Sequence, residues 1–106
     1  MDELVEMLTT GTHPVIVSRV DGSVEKLQES ISRGYVLVKF TDTRGGTELG
    51  VRLDDATNLG AADFEQATGT VHLEGTLTLN YVKVRCIADI DLTTMEGSGH
   101  LQKVAL

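Results

Sequence analysis

Residues 70–92 read TVHLEGTLTLNYVKVRCIADIDL. Apolar side chains alternate through this stretch, first Val71, Leu73, Leu77 and Leu79, then Val82, Val84, Cys86, Ala88, Ile90 and Leu92. A period of two lines them along one face of a sheet. The opposite row is His72, Glu74, Thr76, Thr78 and Asn80, continued by Lys83, Arg85, Asp89 and Asp91. One apolar row and one polar row mark antiparallel strands with one face on a core and the other in water. The stretch exceeds ordinary strand length, so the chain must break within it. A turn near Asn80 and Tyr81 fits best, because the parity of the two rows changes there. A kink at Gly75 is the other way to break it.

Working outward, a second turn over 95–99 leads into a last strand, 100–105. On the other side, 61–67 reads as one or two helical turns stopped by Gly69, after a loop over 54–60. Residues 47–53 form a strand with Leu49, Val51 and Leu53 facing in. Thr43, Arg44, Gly45 and Gly46 make the hairpin turn before it, at positions that favour positive φ. Residues 35–41 read as a strand with two apolar faces. The helix at 23–33 starts at Ser23, a good N-cap, and carries Val24, Leu27 and Ile31 on one stripe. Glu29 and Arg33 are spaced as an i,i+4 ion pair, and Gly34 is placed for a left-handed C-cap. Residues 15–20 form a strand with apolar residues on both faces. A short helix at 2–9, capped by Asp2, precedes the breakers Gly11, His13 and Pro14.

This order predicts one α+β domain over 1–106. It has a mixed or antiparallel twisted sheet of about six strands, two helices packed on one side, and a C-terminal half that is an antiparallel meander. If strands 15–20 and 35–41 run parallel, they and the helix between them form a right-handed βαβ crossover. The alternating C-terminal half is similar in pattern to small β-barrel and lipocalin-type proteins. That likeness covers no motif and transfers no function.

The 106 residues suit one modest core without staples. With two Phe, two Tyr and no Trp, that core must be built from Val, Leu and Ile. The formal charge of −7 repels phosphate backbones and anionic membrane surfaces, so neither nucleic acid nor membrane is an expected partner. No apolar run is long enough to span a bilayer. A single cysteine forms no intrachain disulfide, and the acidic start MDELVEM is unlike a signal peptide; the expected location is cytoplasmic.

Chemistry is hard to find. His13, His72, His100 and Cys86 show no metal-ligand spacing, so the histidines are expected at the surface and the thiol in the core. Asp89 and Asp91 share a face, but a carbohydrate-cleaving pair needs a cleft and usually aromatic platforms. Lys83 and Arg85 balance them on the same row. Asp54, Asp55 and Asn58 form a loop cluster that lacks the late bidentate Glu of a calcium loop, and read as Asx-turn capping. The Arg44-Gly45-Gly46 tip has no helix behind it and is no phosphate loop. No catalytic set, metal or cofactor is implied.

Two functions fit. One is a small acidic binding or accessory domain, without chemistry, that docks on a protein partner or on a second copy as a homodimer. A last strand at a sheet edge would offer a place for such pairing. The other is a small-molecule-binding or enzymatic domain with a pocket between sheet and helices. His72, Lys83, Arg85, Asp89 and Asp91 are the candidate binding residues in both. Whether their row is convex and wet or concave and enclosed separates the two.

Overall fold

The 70–92 stretch folds back on itself at Asn80 and Tyr81, whose φ angles are 48° and 69°. Two consecutive positive φ values make a two-residue turn whose twist matches that of the flanking strands. In the computed structural model, which describes residues 3–104, the elements in order are α1 (Glu3–Leu8), β1 (His13–Val17), α2 (Val24–Ser32), β2 (Tyr35–Phe40), β3 (Thr47–Leu53), β4 (Ala62–Asp63), β5 (Thr68–Leu79), β6 (Val82–Asp91) and β7 (Glu96–Lys103). Asp2 as a helix cap and position 105 as a strand end lie outside the described residues.

The strands follow the order β3-β2-β1-β7-β6-β5-β4, and β3 pairs a second time, with β5. All pairings are antiparallel. The second pairing closes six strands into a barrel, leaving β4 as a two-residue addition to β5. The C-terminal meander β5–β6–β7 is as expected. The twisted antiparallel sheet is also as expected; its closure adds a register between distant strands.

The closing seam is short: Arg52 opposes Thr76 and Leu53 opposes Gly75. A Cβ on Gly75 would stand 2.1 Å from the Arg52 carbonyl oxygen. Gly75 therefore serves close approach of two backbones, not a bend that ends a strand. Beyond the seam, 54–63 continues along the same edge of β5. Asp54 N–H donates to Glu74 O at 3.1 Å, and Asn58 and His72 exchange backbone bonds of 2.9 and 3.1 Å. Residues 61–67 are accordingly a bridging strand and turn rather than a helix.

Inside, Val36, Val38, Phe40, Leu73, Val84, Ile90 and Leu101 are fully buried. They come from both the β1–β3 half and the meander, as the alternation requires. The two helices do not pack on one side. α1 leads into the start of β1 and lies beside β7, where Lys103 Nζ meets Glu6 Oε1 at 2.6 Å. α2 connects the end of β1 to the start of β2, at the opposite end of the strands. Val5 and Leu8 of α1 and Leu27 of α2 all enter the same core.

Local predictions hold at the α2 caps and fail around β1. The Ser23 side chain accepts from Lys26 N–H, and Gly34 has φ 78°. Lys26 pairs with Asp21 at 2.8 Å, in place of the expected Glu29–Arg33 pair among the ion pairs found. β1 stops at Val17, because Arg19, Asp21 and Gly22 all take positive φ. β1 and β2 are antiparallel neighbours, Val15 opposite Phe40, so α2 sits inside a wide hairpin and makes no crossover. Leu37 is half-buried and Tyr35 exposed, so β2 has one apolar face.

β7 begins at Glu96, earlier than expected, and is not a bare edge. Glu96–Gly99 pairs with β1 on one side and β6 on the other, while α1 flanks its later part. Covering an edge with a helix is a usual protection against strand addition.

Candidate functional site

Because the barrel is closed, the outward row of β5 and β6 lies on a convex surface. Register puts His72 opposite Asp89 and Thr76 opposite Arg85. Four charged side chains of this face join with Asp54 in one chain. Asp89 Oδ1 accepts from His72 Nδ1 at 2.8 Å, and His72 Nε2 donates to Glu74 Oε1 at 2.9 Å. Arg85 Nε donates to the other Glu74 oxygen, and Arg85 Nη2 lies 2.9 Å from the Asp54 carboxylate. The sequence along the chain is Asp89, His72, Glu74, Arg85, Asp54, with alternating sign.

Both ring nitrogens of His72 face carboxylates, which accept but do not donate. A neutral ring would turn a lone pair toward one of them. The Glu74 hydrogen bond first, then that of Asp89, raise the His72 pKa above its ordinary value. His72 first and Arg85 second hold Glu74 below the usual carboxylate range. The charges thus satisfy one another along the chain.

Three of the five candidate residues, His72, Arg85 and Asp89, come together. Asp91 does not; its Oδ1 caps the following turn by accepting from Thr93 N–H at 2.8 Å. Lys83 opposes Thr78 near the hairpin tip, exposed, with no ion pair among the described residues. Glu74 and Asp54 are the members that sequence reasoning missed. Glu74 was visible on the same outward row as His72. Asp54 is an Asx-turn residue, as expected, accepting from Ala56 N–H at 3.0 Å. Its second role depends on where the 54–63 segment crosses β5, for which the sequence carries no signal.

A surface groove of about 530 Å³ opens beside this chain, lined by Asn58, Thr70, His72 and Asp89 among others. It lies on the outside of the barrel, not between sheet and helices. No cluster of three or more metal-ligating side chains occurs among the described residues. Cys86 is buried, and burial pushes its thiol pKa up to about 12, so it is packed and inert. His13, expected at the surface, is instead only 9% exposed. No described helix is long and apolar enough to cross a membrane.

The core binding factor beta subunit family matches residues 20–104, from the turn between β1 and α2 through the last strand. The chain belongs to that family. Among curated proteins none matches it. Membership makes the chain a protein-binding accessory domain, in keeping with the first of the two functions considered above.

Proposed function

We propose that this core binding factor beta-type chain is the non-catalytic subunit of a complex with a Runt-domain protein, which it contacts without touching the DNA. The observation that carries this is the family match over residues 20–104, which spans five of the six barrel strands. Proteins of this family are interaction subunits that partner Runt-domain proteins and do not bind DNA themselves. The charge of −7 agrees, since it opposes approach to a phosphate backbone while favouring a basic partner. Of the five outward candidates, Lys83 is the one cation whose charge no described side chain answers, and we assign it to the partner-facing surface.

Self-docking has less behind it, because the β7 edge that would have paired with a second copy is occupied or flanked. The test is calorimetric titration of the purified chain into a Runt domain, alongside a mobility-shift assay with DNA. A stoichiometric complex and no DNA shift by the chain alone are expected. Absence of any complex at micromolar concentration overturns the reading.

A further inference from the structure

We infer that Tyr81, at the tip of the β5–β6 hairpin, is the aromatic anchor by which this chain holds its protein partner. The inference rests on the function proposed above. Its basis is a residue that the isolated fold does not account for. Tyr81 is fully exposed, at 102% of its reference area, so its ring gains nothing from burial. Its φ of 69° puts a bulky residue in the left-handed region, where a side chain brings strain. At the second position of a two-residue hairpin turn glycine is strongly favoured, and the preceding Asn80 already matches that pattern. Tyrosine there is thus disfavoured by backbone and solvent together.

An outlier of this kind, held by a well-paired hairpin, is a reason to look outside the molecule for its benefit. The hairpin is well held: ten register pairs join β5 to β6, and the Asp89–His72–Glu74–Arg85 chain ties the two strands along their outer face. Tyrosine is among the residues most enriched at binding hot spots, since it brings large rigid area and a hydrogen-bonding tip with few rotatable bonds. Lys83, exposed two residues on in the sequence, adds a cation at the same end of the hairpin of a chain that is acidic overall. The matching partner surface is an apolar pocket with a carboxylate at its rim.

The test compares the wild-type chain with Tyr81→Gly and Tyr81→Asn, both of which tolerate positive φ. Circular dichroism and thermal melting are read first, then titration into a Runt domain. Wild-type spectra, a melting temperature equal or higher, and binding weakened about thirtyfold are expected. Wild-type affinity in either variant overturns the anchor and leaves the proposed function standing. A fall in melting temperature in both variants shows that the ring serves the monomer and also overturns it. If the wild type itself forms no complex, the proposed function fails and the anchor fails with it.

Discussion

His13 and Asp42 form a charged contact at the end of the barrel, with Nδ1 2.7 Å from Oδ2. The other ring nitrogen lies 2.9 Å from the carbonyl oxygens of both Met7 and Thr10. One imidazole thereby joins the end of α1, the start of β1 and the turn after β2. Every group facing it is an acceptor, so the ring donates from both nitrogens and is charged. The Asp42 hydrogen bond is the largest cause of its raised pKa, opposed by burial.

That contact makes stability depend on pH. The folded pKa of His13 lies above its ordinary value of 6.5, so its contribution is complete below 6.5 and is lost as pH rises through the folded value. Denaturant midpoints of the wild type should fall as pH rises above 6.5 and through the folded value of His13. In Asp42→Asn the fall should be smaller, since His13 loses its main reason to hold the proton. Equal pH profiles for the two proteins would contradict this.

The outer-face chain should show both limbs. Glu74 titrates below its ordinary 4.5 and His72 above its ordinary 6.5. Their joint contribution is complete between those values, declining as pH falls through the Glu74 pKa or rises through that of His72. Glu74→Gln should cost about 1 kcal/mol and return the His72 pKa toward 6.5, read by NMR titration of the ring. An unchanged His72 pKa would show that Glu74 does not hold it.

Gly75→Ala tests the barrel seam. The new Cβ meets the Arg52 carbonyl, which is backbone and cannot swing aside. A loss of about 1–3 kcal/mol is expected from urea unfolding, with faster amide exchange at Asp54, whose N–H donates to Glu74 O. A variant as stable as the wild type would mean that β3 and β5 do not pair this closely.

The α2 helix offers a separate check. Leu27→Ala should cost about 2–5 kcal/mol, because Leu27 is fully buried in the shared core. Ser23→Ala should cost about 1 kcal/mol through loss of its bond from Lys26 N–H. Comparable losses at the two sites would argue against α2 as the cover of the barrel end.

Thiol reagents should leave Cys86 unmodified in the folded protein and react with it after unfolding, given its burial and a thiol pKa near 12. Rapid labelling under native conditions would show that the barrel opens at β6.

Period-two alternation was enough to read β5 and β6, and the parity change at Asn80 located their turn. Ser23, Gly34, Gly45 and Gly46 were readable because a cap or a positive φ demands particular residue types locally. Closure was not readable, because Arg52–Thr76 and Leu53–Gly75 are facts of register between distant strands. The end of β1 was overrun, since Arg19 gives no local sign that it will take φ 63°. His13 looked like a loop breaker beside Pro14; its burial depends on Asp42, far along the chain. Four members of the charged chain were visible on the outward row, and Asp54 alone needed the crossing segment. Tyr81 was seen only as a turn residue, because neither its exposure nor its φ is written in its neighbours.

A closed barrel also sets an order of events for the chain that builds it. The β5–β6–β7 meander pairs residues joined by tight turns and meets little loop entropy. The β1–β7 seam instead joins Val15 to Gly97. Such distant closures must bear their entropy before they return any energy, so folding speed is governed by the seams rather than by the long hairpin. Substitutions at Gly75 therefore bear on how fast the ring of strands shuts, and those in the hairpin on how long it stays shut.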